Sequence, residues 1–199
     1  AGTARWTMYG LLGMDMCSLL QVLRGREGMT SGERILLAHG AGGKLTRRLI
    51  KEEILTRLSS PILKRLDDGA VIAFDNRKLA YSTDSFVIDP IFFRGEDIGK
   101  LAINGTVNDI AMCGAMPRYL TTSLIIEEGF QLDDLRRILN SMRDAAEEAD
   151  VEVVAGDTKV VSAGSADKIF INTSGIGVVE KEVGGSNAKI GDKIIINGF

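Results

Sequence analysis

The chain has 199 residues, 45% of them hydrophobic, with 24 basic and 27 acidic residues giving a formal net charge of −3. That balance suits a folded globular domain and excludes a disordered chain, a collagen-like repeat and a strongly basic nucleic-acid-binding surface. No apolar run reaches the roughly 18 residues of a membrane span, and Cys17 and Cys113 are too few for a disulfide framework and lack the neighbours of a zinc site.

Residues 1–29 differ from the rest, with Trp6, Tyr9 and a Gly- and Met-rich patch near Leu11 to Met14. They lack the long apolar core and cleavage site of a signal peptide. They read as an extension with little fixed structure ahead of Met29, and a reducing cytoplasm is the simplest compartment.

Ile35-Leu36-Leu37 leads into His39-Gly40-Ala41-Gly42-Gly43-Lys44, then a helical pattern with Leu45, Leu49, Ile54 and Leu58 on one approximate face. A Gly-rich loop feeding a helix can wrap phosphates with backbone N–H groups, or be only a flexible connection. It is not a P-loop, because Ala38 and Leu45 stand where a glycine and a hydroxyl belong. His39 is the only histidine, and so the only histidine available as a general base.

The stretch Leu66 to Ser85 predicts a β-hairpin: Val71 to Phe74, a polar turn Asp75-Asn76-Arg77-Lys78, then Leu79 to Ser85. With Asn76 at its centre, Asp68 and Asp84 come together at the open end. Gathered carboxylates beside Ser82 and Thr83 suit a hard cation such as Mg²⁺; equally, Asp67, Asp68 and Asp84 are open to reading as unrelated, solvated loop acids.

Phe86 to Ile88 continues as an extended run. Asp97 to Gly114 predicts a helix in which Asn104, Asn108 and Asp109 interrupt small and apolar positions, and Gly105 signals close packing against another backbone. Cys113 reads as a small core residue rather than a nucleophile. Arg118 to Ile126 predicts a strand, and Leu132 to Ala149 an amphipathic scaffold helix. Val151 to Ala155 predicts a strand ending at Gly156-Asp157-Thr158-Lys159. Ser162 to Asp167 is a polar turn, Ile169 to Val179 a strand, Gly184 to Asn187 a linker, and Ile194 to Asn197 a final strand.

Taken together, His39-Gly40-Ala41-Gly42-Gly43, Asp67-Asp68-Gly69-Ala70, Thr83-Asp84-Ser85-Phe86-Val87, Thr106-Val107-Asn108-Asp109-Ile110-Ala111 and Gly156-Asp157-Thr158-Lys159-Val160 occur in a telling order. The set resembles the ATP-binding domain shared by aminoimidazole ribonucleotide synthetase, selenophosphate synthetase and thiamin-monophosphate kinase, over roughly Ile35 to Phe199. Within that superfamily it is most similar to the HypE family, the carbamoyl dehydratases of [NiFe]-hydrogenase maturation.

The resemblance implies an α+β fold: a mixed or antiparallel sheet with helices on one face, pairing through the sheets as a homodimer. It implies an ATP-binding domain over 30–182, with 183–199 a linker and the first strand of a further domain that this chain lacks. ATP and Mg²⁺ are the implied cofactors. Asp68, Asp84, Asp109 and Asp157 match the metal-binding acids, with Asp67 a less favoured candidate. His39, Gly40, Gly42, Gly43, Lys44, Ser82, Thr83, Asn108 and Thr158 are implied nucleotide contacts, the loop from His39 to Lys44 closing over the nucleotide. Lys159 is the implied catalytic cation.

The implied reaction is ATP-dependent dehydration of an S-carbamoyl group on a C-terminal cysteine to a thiocyanate, which supplies cyanide to the hydrogenase iron. The implied partners are a HypF-like carbamoyl-transferring protein and a HypC/HypD-like iron-cyanation complex, with no nucleic acid or membrane. The Pro-Arg-x-Cys tail of that family is absent, so the chain is expected to bind Mg–ATP weakly and not to complete the cycle. Two rivals stand beside this reading. One is a selenophosphate synthetase-like enzyme, which would usually carry a reactive Cys and a Lys near the glycines; the other is a non-catalytic dimerisation or partner-binding module.

Overall fold

The computed structural model describes residues 34–58, 60–193 and Ile195. The extension over 1–29 lies outside the described residues, as does the final strand at Ile194 to Asn197 apart from Ile195. Two compact units are present, Ala1–Ser60 and Pro61–Phe199, and each is considered by itself.

In the first unit, α1 (Lys44–Leu49) runs through a π-helical stretch (Ile50–Ile54) into α2 (Leu55–Arg57). The π-turn explains the imperfect apolar spacing. Leu45 to Leu49 and Ile54 to Leu58 are four apart, but Leu49 to Ile54 is five, the repeat of an i→i+5 turn. The extra residue returns the apolar positions to one face.

The second unit is built on a five-stranded sheet of β1 (Ala70–Phe74), β2 (Arg77–Phe86), β5 (Ala115–Glu127), β6 (Glu152–Val161) and β7 (Ile169–Val179), in the spatial order β1-β2-β7-β5-β6. Among the described strands only the β5–β6 pair is parallel; α4 (Leu132–Glu148) makes that crossover. A two-stranded ribbon, β3 (Phe92–Phe93) and β4 (Glu96–Asp97), precedes α3 (Ile98–Met112). The fold is therefore α+β with a mixed sheet.

One sheet face is covered. On β7, Ile169, Ile171, Thr173, Gly175 and Gly177 are buried, while Phe170, Asn172, Ser174 and Ile176 between them are only partly so. The alternation is the period of a strand with one face against a core. Helix α3 packs across β2, β7 and β5, and α4 packs on α3 and touches β6. Ile98, Ile103, Ile110, Leu120, Ile138, Ile169 and Ile171 are the largest buried apolar side chains. Asp97, itself buried, caps α3 by accepting from the backbone N–H groups of Gly99 and Lys100, and its carboxylate also accepts from Ser141 Oγ on α4.

Glycines set the helix depth. A Cβ at Gly177 would lie 2.6 Å from both Ile110 Cγ2 and the Met116 carbonyl oxygen, and one at Gly175 would lie 2.5 Å from Leu120 Cδ2. Gly105 behaves differently from expectation: its close neighbour is the Phe86 ring, 2.7 Å from a Cβ there, not another backbone. The helix glycine that meets backbone is Gly99, against the Ile138 carbonyl oxygen at 2.6 Å.

Candidate cation and nucleotide site

The hairpin forms with a tighter turn than its polar tetrapeptide suggests. Phe74 pairs with Arg77, so only Asp75 and Asn76 connect the strands, and Asp75 takes φ 51°. A positive φ at the first central residue is the demand of a twisted two-residue hairpin, one that Asp tolerates. Paired positions sum to 151, one less than a turn centred on Asn76 would give. Extended past Ala70, that register would put Asp68 across from Thr83 rather than Asp84.

The acids gather nonetheless, through α3. Ser82, Asp84 and Phe86 alternate onto the helix-covered face of β2. Ser82 Oγ lies 3.0 Å from the Asp68 carbonyl oxygen and 3.0 Å from Asp109 Oδ2, joining the hairpin entry to the helix. Burial holds the Asp109 carboxyl above the ordinary carboxylate range; the Ser82 hydroxyl opposes this, and the charges of Asp84 and Asp68 add to the rise. The charges of a loop acid, Asp68, and a strand acid, Asp84, are thus felt at the helix acid Asp109, which Ser82 contacts. The Gly105 position that admits the Phe86 ring is also 3.6 Å from Asp84 Oδ2.

Asp67 points elsewhere. Its carboxylate accepts from Arg65 Nε at 3.0 Å and from the Gly185 amide at 3.3 Å. Cys113 is buried, and burial followed by the Asp68 and Asp67 charges pushes its thiol pKa up, which disfavours the nucleophilic thiolate.

The opposite sheet face carries a separate polar set. Thr83 pairs with Ser174 and Ser174 with Thr121; Ser85 pairs with Asn172, Asn172 with Ser123, and Ser123 with Asp157. Asn172 Nδ2 lies within hydrogen-bonding distance of Thr83 Oγ1, the Asp84 carbonyl oxygen and Ser85 Oγ, and Ser174 Oγ donates to Thr83 Oγ1 at 2.8 Å. Asn172 and Ser174 were not singled out from sequence, although their alternation with Ile171, Thr173 and Gly175 is the readable signal of a polar stripe on a half-buried strand.

Asp157 is placed differently from expectation. It sits in the middle of β6, not at a strand terminus, because the strand continues through Gly156-Asp157-Thr158-Lys159 to Val161. Its row is the open face, whereas Asp84 shares a row with Thr173, which donates to the Ala102 carbonyl of α3. With β7 and β5 between β2 and β6, Asp157 is roughly 14 Å across the sheet from Asp84. Lys159 Nζ pairs with Asp157 Oδ1 at 3.3 Å, both exposed, while Thr158 pairs with Leu124 on the helix side. Asn108 is exposed on α3.

In the first unit, the Leu36 amide donates to His39 Nδ1 at 3.0 Å and His39 is buried, so that nitrogen is committed locally. The Gly40 amide donates to the Leu37 carbonyl, Gly42 takes φ 76° and donates to Thr46 Oγ1, and Gly43 is the cap of α1, which begins at Lys44.

The donors around Ser82 are hard oxygens with no imidazole among them. Among the described residues no three His, Cys, Asp or Glu side chains close around a single point. Mg²⁺ fits such an open set, since it keeps waters and phosphate oxygens and takes only one or two carboxylates. A cavity of about 500 Å³ lies elsewhere, lined by Ile91, Phe92, Phe130 and Lys168 among others, and contains none of the predicted site residues.

Carbamoyl dehydratase HypE of Cupriavidus necator is 45% identical over 168 residues, covering 83% of this chain and 48% of that protein. A crystal structure of a HypE–HypF complex matches with TM-score 0.67 and 50% identity over 71% of this chain and 46% of that one. A HypE crystallised with ATP matches with TM-score 0.52 and 51% identity over 73% of this chain and 43% of that one. The chain spans about half the length of the curated relatives it matches. The family described as AIR synthase related protein, N-terminal domain, matches residues 66–179. With strands β1 to β7 and helices α3 and α4 all inside or beside that span, the chain belongs to the AIR synthase-related family through this N-terminal domain.

Proposed function

We propose that this chain is the Mg–ATP-binding part of a HypE-type carbamoyl dehydratase. The observation that carries the reading is that Ser82 joins Asp109 on α3 to the Asp68 corner of the hairpin, with the charges of Asp84 and Asp68 both felt at Asp109. Asp68, Asp84 and Asp109 would hold Mg²⁺, which when bound supplies charge neutralisation to the phosphates. Ser82 orients Asp109 and the Asp68 backbone. Thr83 stands on the opposite, polar face with Asn172 and Ser174. The resemblance rather than this geometry assigns Asn108 and Thr158 to the phosphates and Lys159, ion-paired with Asp157 three strands from Asp84, to the negative charge that develops in phosphoryl transfer.

The whole enzyme's reaction follows from leaving-group chemistry. The S-carbamoyl oxygen attacks the terminal phosphorus of ATP and ADP departs. The C–O bond then breaks with loss of phosphate while nitrogen gives up its two protons, leaving S–C≡N. The oxygen leaves as part of phosphate, so no oxidant or reductant is required. A HypF-like protein would supply the carbamoyl group and a HypC/HypD-like complex would receive the cyanide, in the cytoplasm.

Homodimerisation through the sheets is part of the reading. Tyr81 pairs with Ile176 and Ile176 with Tyr119, making an aromatic and apolar row on the sheet face opposite α3 and α4, with the two tyrosines 47% and 50% exposed. Isothermal titration tests the binding function. Mg–ATP is expected to bind the wild type and to lose at least about tenfold in affinity with Asp84→Asn; no heat at millimolar nucleotide overturns it.

A further inference from the structure

We propose that Asp67 is a positioning residue, not a cation ligand: its carboxylate fastens the chain leaving β7 to the Asp68 corner, so that this segment and the acid cluster move together. The coupling to Mg–ATP rests on the function proposed above; the fastening does not.

Adjacent residues in an extended chain face opposite ways. Asp68 serves the Ser82 corner, whereas Asp67 has Arg65 Nε at 3.0 Å as its countercharge and receives the Gly185 amide at 3.3 Å. A Cβ at Gly184 would stand 3.2 Å from Asp67 Oδ2, so glycine there leaves the carboxylate room to approach the backbone. Arg65 also donates to Glu182 Oε1 at 3.0 Å, and Glu182 Oε2 takes Lys78 Nζ at 2.6 Å. One arginine therefore bridges two carboxylates, one on each side of the junction.

The same segment has a second mount. The amides of Glu180 and Lys181 donate to the Gly114 carbonyl, and the Val183 amide donates to the Cys113 carbonyl, at the end of α3. Asp109 lies one helical turn before Cys113. The segment Glu180 to Asn187 is thus tied to the hairpin entry that carries Asp68 and to the helix that carries Asp109. A ligand that fixes these two acids relative to each other fixes both mounts, and by linkage an ordered segment favours that ligand.

Hydrogen exchange read by mass spectrometry on the peptide containing Gly185 to Asn187, with and without Mg–ATP, tests this in the full chain. Without nucleotide, Asp67→Ala is expected to speed exchange about tenfold, and Asp67→Asn, which keeps an acceptor oxygen, by less than about threefold. Mg–ATP is expected to slow exchange in wild type but not in Asp67→Ala. By titration, Asp67→Ala weakens Mg–ATP binding about tenfold and Asp67→Asn restores most of it. Unchanged exchange in Asp67→Ala overturns the fastening. An Asp67→Asn as damaging to binding as Asp68→Asn marks Asp67 as a ligand and overturns the positioning role. A wild type that takes up no Mg–ATP overturns the function and the coupling, while the nucleotide-free rates still decide the fastening.

Discussion

Ser82 Oγ lies 3.0 Å from Asp109 Oδ2 and equally 3.0 Å from the carbonyl oxygen of Asp68. A hydroxyl has one proton, so it cannot donate fully to two acceptors. If Asp109 carries a proton, it donates to Ser82 and Ser82 donates to Asp68, and every group is satisfied. Burial and the Asp84 and Asp68 charges favour that protonated form. A cation among the acids would replace the proton.

Asp109→Asn follows from this proton count. The amide donates to Ser82 as the protonated acid does, without the repelled charge. The nucleotide-free variant is expected to gain stability, by under about 1 kcal/mol because the site is part-exposed, while Mg–ATP binding is lost. The pH sign is fixed: a raised folded pKa gives a contribution that is full below the ordinary value of 3.8 and lost as pH rises through the folded value. Wild type therefore loses stability relative to the variant across that window, as thermal melts at stepped pH will read.

Gly105→Ala sets helix propensity against packing. Alanine gains about 1 kcal/mol in a helix interior, but its methyl would meet the buried Phe86 ring at 2.7 Å. Overpacking of a filled core costs about 1–3 kcal/mol. The net expectation is a loss of about 1 kcal/mol by urea denaturation, accompanied by weaker Mg–ATP binding because Asp84 lies two residues from Phe86.

The sequence made the helices and most strand positions legible, because apolar period and turn residues report which face is buried; it also put Asp68 and Asp84 on the elements whose charges reach Asp109. It did not make Asp157 legible. Gly156 looks like a strand end, yet β6 runs on because β5 offers a full ladder of partners to Val161. Nor could it separate Asp67 from Asp68, since their roles depend on Gly185, 118 residues away. The hairpin register slipped by one because the turn is centred between Asp75 and Asn76 rather than on Asn76, and a run of polar letters does not show where the ladder begins.

Cys113 is expected to resist thiol reagents. Its thiol is buried, with its pKa raised by that burial and by neighbouring Asp68 and Asp67, and reaction needs the thiolate. In a Cys17→Ser background, labelling at pH 8 should be at least about 100-fold slower in the folded protein than in urea, since it requires opening of the α3 terminus. Asp68→Asn should speed it modestly by removing one of the charges that disfavours the thiolate.

Tyr81 and Tyr119 offer the last test, because they separate the fold of one chain from its association. Both are half-exposed and flank Ile176 on the face opposite α3 and α4, so a charged replacement meets water in the monomer and should change its stability by under about 0.5 kcal/mol. In a face-to-face pair of sheets the same charge is buried without a partner, which costs several kcal/mol. For the proposed sheet-to-sheet dimer, Tyr119→Glu is therefore expected to give monomer in sedimentation velocity where the wild type gives dimer, while its circular dichroism melt stays put. A variant that remains dimeric places the association on another surface, and one that unfolds shows that the tyrosine row supports the sheet itself.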